Sequence, residues 1–175
     1  MEDVTSLVLR AKDGDVHAFA GLYAQIYKDL YRFALCMMKN EQDAEDAVSD
    51  AVLSGYENIR KLRDEKAFKS WMFTILANTC KKKLQNRSRK FRMEKDMESS
   101  ESERNNFGTR HPDYGISVDV QRAFLHLSEE EQTIIALSVF GGYNSKEIGE
   151  MLKLNANTVR SKRSRGLEKM ECILA

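Results

Sequence analysis

This sequence predicts an all-α fold of two small helical domains joined by a flexible linker, on three observations. Apolar residues recur at three- and four-residue spacing through most of the chain, the mark of amphipathic helices. A single Pro and few β-branched clusters leave little from which to build strands. Residues 87–115 break the pattern: they are rich in Arg, Lys, Glu, Ser and Asn, poor in apolar residues, and hold the one Pro, Pro112. The domains are then 1–86 and 116–175, with 87–115 as a linker that begins as frayed helix.

Residues near Val4–Lys12 and Val16–Lys39 read as helices, separated by the breaker Asp13-Gly14-Asp15. Ala18, Phe19, Leu22, Tyr23 and Ile26 share one face of the second, followed by Leu30, Tyr31, Ala34, Leu35 and Met38. The cleanest amphipathic pattern is Glu41–Ile59, where Ala44, Ala47, Val48, Ala51, Val52, Gly55, Tyr56 and Ile59 form a stripe. Asp43, Asp46, Asp50 and Glu57 fall opposite it. Those acids admit three readings: a solvated face, a docking surface for a basic partner, or a carboxylate metal site. The metal reading is the weakest, because the acids leave one helix with no His or second cluster to complete a shell.

Lys61 to Glu65 reads as a charged loop, and Lys66–Gln85 as a helix with Phe68, Trp71, Met72, Ile75, Leu76 and Thr79 inward. Its far face, Ser70, Thr74, Asn78, Lys81 and Gln85, is polar and ends in Lys81-Lys82-Lys83. Cations in a last turn suit the helix dipole. A hydrogen-bonding face running into a basic end is equally what nucleic-acid strand binding uses.

Beyond the linker, Ser117–Leu127 resumes a helix. Ser128 and Glu131 set a capping box for the helix through Phe140, with Ile134, Ile135, Leu137 and Val139 inward and Gly141-Gly142 as its stop. Asn144 and Glu147 form a second box for a short helix bearing Ile148, Met151 and Leu152. Leu154-Asn155-Ala156 makes a tight turn. A last helix from near Asn157 carries Val159, Leu167 and Met170 inward, and shows Arg160, Ser161, Ser164 and Arg165 outward with Lys162 on the flank. Arg163 also faces inward, its stem packing while its head reaches out. Two short helices across a tight turn, the second basic outside, describe a helix-turn-helix reader of the major groove.

Composition narrows the function. Residues 1–86 hold 13 basic and 13 acidic side chains, and residues 116–175 hold 8 and 8. Phosphate contacts supply most of a stand-alone DNA binder's affinity. The balance therefore predicts weak DNA binding by the chain alone, and a second, non-DNA partner for the acidic faces. Cys36, Cys80 and Cys172 are far apart and read as reduced, mostly buried thiols. His17, His111 and His126 are isolated, and no Ser-His-Asp or Cys-His arrangement follows from spacing. No catalytic residue, metal site or cofactor is expected. No apolar run suits a membrane span, and the acidic start lacks a signal core, so a cytoplasmic protein without membrane insertion is expected.

Two segments resemble one family. Residues 43–84, with their DAED opening and AF-x-SW segment, look like the second conserved region of bacterial sigma factors. Residues 127–170, with TVRSK-x-SRG, look like the fourth, and the compact size is similar to the extracytoplasmic-function (ECF) group of the primary sigma family. The resemblance implies a transcription initiation factor that binds core RNA polymerase and directs it to promoters. It implies that Asp43, Asp46, Asp50 and Leu53 dock on the clamp helices of the polymerase largest subunit. Lys61, Arg63, Lys66, Ser70, Thr74, Asn78, Lys81 and Lys82 would then melt and read the minus-ten element. Thr158, Arg160, Ser161, Lys162, Ser164 and Arg165 would face the minus-thirty-five element.

The same resemblance implies an anti-sigma partner that masks these surfaces, and a linker threaded through the polymerase. Promoter elements two DNA turns apart are separated by about 70 Å. A relaxed 29-residue coil spans about 30 Å and an extended one about 100 Å, so polymerase must hold the linker stretched. The pattern departs from the family at Arg163, at Leu167 and in the Asn155-Ala156-Asn157 turn. Two rivals remain. One is a stand-alone helix-turn-helix regulator, marked by tight DNA binding without polymerase. The other is a metal-dependent nucleic-acid enzyme using Asp43, Asp46 and Asp50.

Overall fold

A computed structural model describes residues 2–96 and 117–175. Among them lie eight α-helices and no strand. These are α1 (Val4–Lys12), α2 (Val16–Met38), α3 (Glu41–Asn58), α4 (Phe68–Lys95), α5 (Val118–Leu125), α6 (Glu129–Gly141), α7 (Ser145–Leu152) and α8 (Ala156–Leu174). Two short 3-10 turns, Ile59–Lys61 and Glu65–Ala67, join α3 to α4. Residues 97–115 of the expected linker, with His111 and Pro112, lie outside the described residues.

Local chemistry sets the helix starts. Asp15 caps α2 by accepting the Ala18 amide at 3.1 Å, and its carboxylate also takes Arg10 at 2.6 Å. Asn40 caps α3 by accepting the Asp43 amide at 2.7 Å. Both capping boxes read from the sequence form, Ser128 with Glu131 and Asn144 with Glu147. Each cap satisfies amides that the helix itself leaves without partners. α6 stops at Gly142, whose φ of 73° suits the left-handed cap.

α1 to α4 pack around one core. Phe19, Leu22, Leu30 and Phe33 of α2 meet Ala44, Ala47 and Ala51 of α3 and Phe68, Met72, Phe73 and Leu76 of α4. α4 buries a wider face than its periodicity suggests. Phe73, Ala77 and Cys80 are buried, whereas Trp71, Ile75 and Thr79, expected inward, are half-buried. The same helix runs nine residues past Asn86, to Lys95, and every residue from Gln85 to Lys95 is exposed.

The reason for the wide face is α6, which packs along α2 and touches α4. Ile134, Ile135, Ala136 and Leu137 are four consecutive buried residues. A helix in one-sided contact cannot bury four in a row, so α6 is covered on opposite sides, by α2 and by α8. Its last apolar position escapes: Val139, expected inward, is 66% exposed.

Three further expectations need correcting. Leu167 is exposed, because Gly166 takes the inward place and lets Ile135 approach it. Cys172 is exposed, in the last turn of α8, where every residue from Glu171 on is exposed. Tyr56 lies at the stripe's edge and is 40% exposed, its ring edge-on to Phe19 at 5.3 Å. Burial pushes the Cys36 and Cys80 thiols up to about 12, so both stay protonated and unreactive.

Candidate nucleic-acid interface

The reader is built from α7 and α8. Lys153 adopts the left-handed conformation (φ 57°), and the Leu154 amide returns to the Gly149 carbonyl at 2.8 Å. That reversal brings the Leu154 carbonyl oxygen to 2.7 Å from where a Cβ on Gly149 would sit, so only glycine fits the turn. Asn155 then caps α8 by accepting the Asn157 amide at 2.8 Å. The turn falls one residue earlier than the sequence reading placed it, at Lys153-Leu154-Asn155.

Val159 and Gly166 bury α8 against its neighbours, with Met170 half-buried. Glu131 fixes the helix at depth. It is 6% exposed, and both its oxygens take the Lys169 ammonium, at 2.9 and 3.0 Å. Burial alone would raise the pKa of this carboxyl. Lys169 and the Ser128 amide outweigh burial and hold it below the usual range.

Arg160, Ser161, Ser164 and Arg165 are exposed on the outer face of α8. Arg160 rests on Asn157 at 2.8 Å. Lys162 instead bends back to Glu130 of α6, and Thr158 is half-buried, so both stand at the rim of the face. Arg163 is half-buried with its guanidinium 3.5 Å from the Ser138 hydroxyl, a packed stem with its head at the surface.

A second cationic region lies on α4 and the loop before it. Leu62 is buried, the Lys12 ammonium meets Glu65 at 2.7 Å, and Arg60 donates to the Lys12 carbonyl at 2.9 Å. The loop is thereby tied to α1, and Lys61, Arg63 and Lys66 project from it exposed. Along α4, Ser70 and Thr74 are half-buried and give their hydroxyl protons to the Ala67 and Ser70 carbonyls, at 3.1 and 2.8 Å. They keep only acceptor capacity for a ligand. Asn78, Lys81 and Lys82 are exposed beyond them.

The acidic face is separate. Asp46, Asp50 and Leu53 follow one another at helical spacing on α3, all exposed, with Leu53 at 60%. Asp43 is different: half-buried, bonded by Asn40 and paired with Arg87. Asp50 pairs with Lys83 at 2.8 Å. Sequence reasoning misses these two bridges, which fasten the second half of α4 to the first turn and the middle of α3. Exposed pairs contribute about 0–1 kcal/mol each. No helix among the described residues is long and apolar enough to cross a membrane, and no group of three metal-ligating side chains forms among them.

A helix-turn-helix with a basic outer face, a second cationic helix face and an exposed acidic face together have the parts of a DNA-reading protein that works with a second macromolecule. Residues 22–90 match the family model Sigma-70 region 2, and residues 117–170 match Sigma-70, region 4. The chain is 27% identical over 161 residues to the ECF RNA polymerase sigma factor SigM of Mycobacterium tuberculosis, covering 92% of this chain and 79% of that one. It is 26% identical over 171 residues to the ECF RNA polymerase sigma factor SigW of Bacillus subtilis, covering 92% and 91%. Its fold is similar to the sigma factor RpoE in complex with the anti-sigma factor NepR from Bartonella quintana. There the TM-score is 0.76 at 23% identity, over 91% of this chain and 98% of that one. CnrH in complex with the cytosolic domain of CnrY gives a TM-score of 0.72 at 21% identity, over 98% and 97%. The chain belongs to the sigma-70 family, in its ECF group, and is a transcription initiation factor that directs RNA polymerase to promoters.

Proposed function

We propose a residue-level division of labour for this factor. Asp46, Asp50 and Leu53 dock on the clamp helices of the polymerase largest subunit, with Asp43 at the edge of that contact. Lys61, Arg63 and Lys66 capture bases that leave the duplex at the minus-ten element, with Ser70, Thr74, Asn78, Lys81 and Lys82 along α4 reading and holding the strand. Arg160, Ser161, Ser164 and Arg165, flanked by Thr158 and Lys162, contact the minus-thirty-five element. Residues 1–86 and 116–175 are the functional units and 87–115 the linker between them. The protein carries no chemistry of its own and works in the cytoplasm. Polymerase contacts supply the few kcal/mol that unstacking a base requires. One protein of similar fold, the sigma factor RpoE, is held by the anti-sigma factor NepR, and this chain takes such a partner on the same surfaces.

The observation that carries this reading is the Asp46-Asp50-Leu53 face of α3, two exposed carboxylates that repel DNA phosphates beside a leucine that is 60% exposed. Run-off transcription with core polymerase tests it: the purified chain is expected to give discrete promoter starts, and transcripts no different from core polymerase alone would contradict it.

Two predictions divide the DNA faces. Arg165→Ala is expected to lower recognition of the upstream element by about 10- to 100-fold, the worth of one base- or phosphate-directed Arg, while sparing polymerase binding. Loss of both in an anisotropy titration would contradict the assignment. Replacing Asn78 and Lys81 together with Ala removes only exposed atoms from α4, so the fold should persist. Open-complex formation should fall several-fold, read as reduced permanganate reactivity of promoter thymines; a wild-type footprint would contradict a strand-holding role.

A further inference from the structure

α4 continues past the core that it helps to build. From Gln85 to Lys95 every residue is exposed, and the segment holds Arg87, Arg89, Lys90, Arg92 and Lys95 against one acid, Glu94. Such an extension adds nothing to the core, so its use lies in what it presents outward.

The helical repeat sorts these cations into two sets. At about 100° per residue, Lys83, Arg87, Lys90 and Glu94 fall on one side. Lys83 and Arg87 of that side are committed to Asp50 and Asp43 of α3. Arg89 and Arg92 fall on the other. They follow Asn78, Lys81 and Gln85 at three- and four-residue steps, and so continue the polar face that begins at Ser70 and Thr74. Neither Arg89 nor Arg92 is in an ion pair among the described residues. The helix dipole favours cations in the last turn, which covers Arg92 and Lys95. It does not account for Arg89, a turn earlier, or for the alignment of Arg89 and Arg92 with Lys81.

The chemistry of the extension selects its occupant. Phe91 and Met93 are its large exposed apolar side chains, and they stand on opposite flanks of the helix. There is thus no apolar stripe for a lipid surface or a partner helix. A row of guanidinium groups suits phosphate. From Lys82 to Arg92 the helix rises about 15 Å, the length of about four base pairs. In the proposed contacts, the loop Lys61 to Lys66 takes bases out of the duplex at the start of α4. The far end of the same face then stands over DNA that is still paired. We propose that Arg89 and Arg92 grip backbone phosphates of the double-stranded spacer between the two promoter elements, anchoring the duplex while the bases beside it open. The proposal rests on the sigma-factor contacts for which DNA is met, and on the geometry of α4 for which side chains meet it.

Salt dependence of binding tests the grip, because each phosphate contact adds about 0.9 to the slope of log affinity against log salt. Arg89→Gln with Arg92→Gln, in the full chain with core polymerase, should lower that slope for a promoter fragment by about 2 and the affinity at physiological salt by about tenfold. Both side chains are exposed and Gln is as good a helix former as Arg, so far-UV circular dichroism should not change. Lys90→Gln removes a charge from the other side of the helix and should leave slope and affinity at their starting values. Arg89→Lys with Arg92→Lys keeps both charges and should keep the slope. Hydroxyl-radical footprints of the Gln pair should lose protection in the spacer. An unchanged slope in the Gln pair, an equal fall in Lys90→Gln, a Lys pair as defective as the Gln pair, or protection lost only inside the minus-ten element overturns the proposal. Titration of a random duplex at low salt without polymerase separates it from the reading on which it rests. A slope lowered there by the Gln pair, with no promoter-directed transcripts from the unsubstituted chain, overturns the sigma-factor contacts and the spacer with them, and leaves the phosphate grip.

Discussion

Reversing the charge at Asp46 and Asp50, both to Lys, is expected to weaken association with core polymerase by about 100-fold or more. Close charge pairs across interfaces carry about 1.5–7 kcal/mol, and reversal both removes the attraction and adds repulsion. The two residues stand one turn apart on α3, exposed, with Leu53 beside them as the apolar centre of the same face. Within the chain the change costs little, since Asp46 makes no ion pair among the described residues and the Asp50–Lys83 bridge is exposed. Far-UV circular dichroism should therefore be unchanged while the anisotropy titration shifts. Wild-type affinity in the double variant would place the docking face elsewhere.

Gly149→Val is expected to abolish recognition of the upstream element while leaving polymerase docking in place. A Cβ at this position would lie 2.7 Å from the Leu154 carbonyl oxygen and 3.5 Å from the Ala156 amide nitrogen. The carbonyl is backbone of the reader's turn, and the Ala156 amide already stands in van der Waals contact behind it, so relief of the 2.7 Å clash requires α7 and α8 to move apart. Overpacking of this kind costs about 1–3 kcal/mol, concentrated in the C-terminal unit. Gly21→Ala is the control: its Cβ would lie 3.9 Å from Leu7, an ordinary contact. Thermal unfolding and footprinting of the two variants separate them, and an upstream footprint retained in Gly149→Val would show that the turn tolerates what its geometry forbids.

Much of this was legible in the sequence because it is local. Capping boxes at Ser128 and Asn144 are four-residue patterns, and the amphipathic stripe of α3 is a periodicity. What escaped depends on long-range contact. Phe73 stands outside the apolar stripe read for α4, and it is buried because the rings of Phe33 on α2 and of Tyr143 after α6 meet it, at 5.8 and 5.7 Å. The run Ile134-Ile135-Ala136-Leu137 did carry a signal, because four successive apolar residues need covering on opposite sides, but not the identity of the covering helix. Periodicity points Leu167 inward, but Gly166, which has no side chain to count as apolar, takes the buried position. Spacing alone groups Asp43 with Asp46 and Asp50. Its pairing with Arg87 follows from α4 continuing past Asn86, where composition already looked like linker.

The near-neutral charge of each half gives the account its sharpest test, because it requires that polymerase supply the affinity which the chain lacks. Promoter DNA binding, measured at physiological salt by fluorescence anisotropy with and without core polymerase, reads this directly. The account predicts weak binding by the chain alone and at least about 100-fold tighter binding with polymerase present. Tight, steeply salt-dependent binding by the chain alone, unaltered by polymerase, would contradict it and mark a stand-alone regulator.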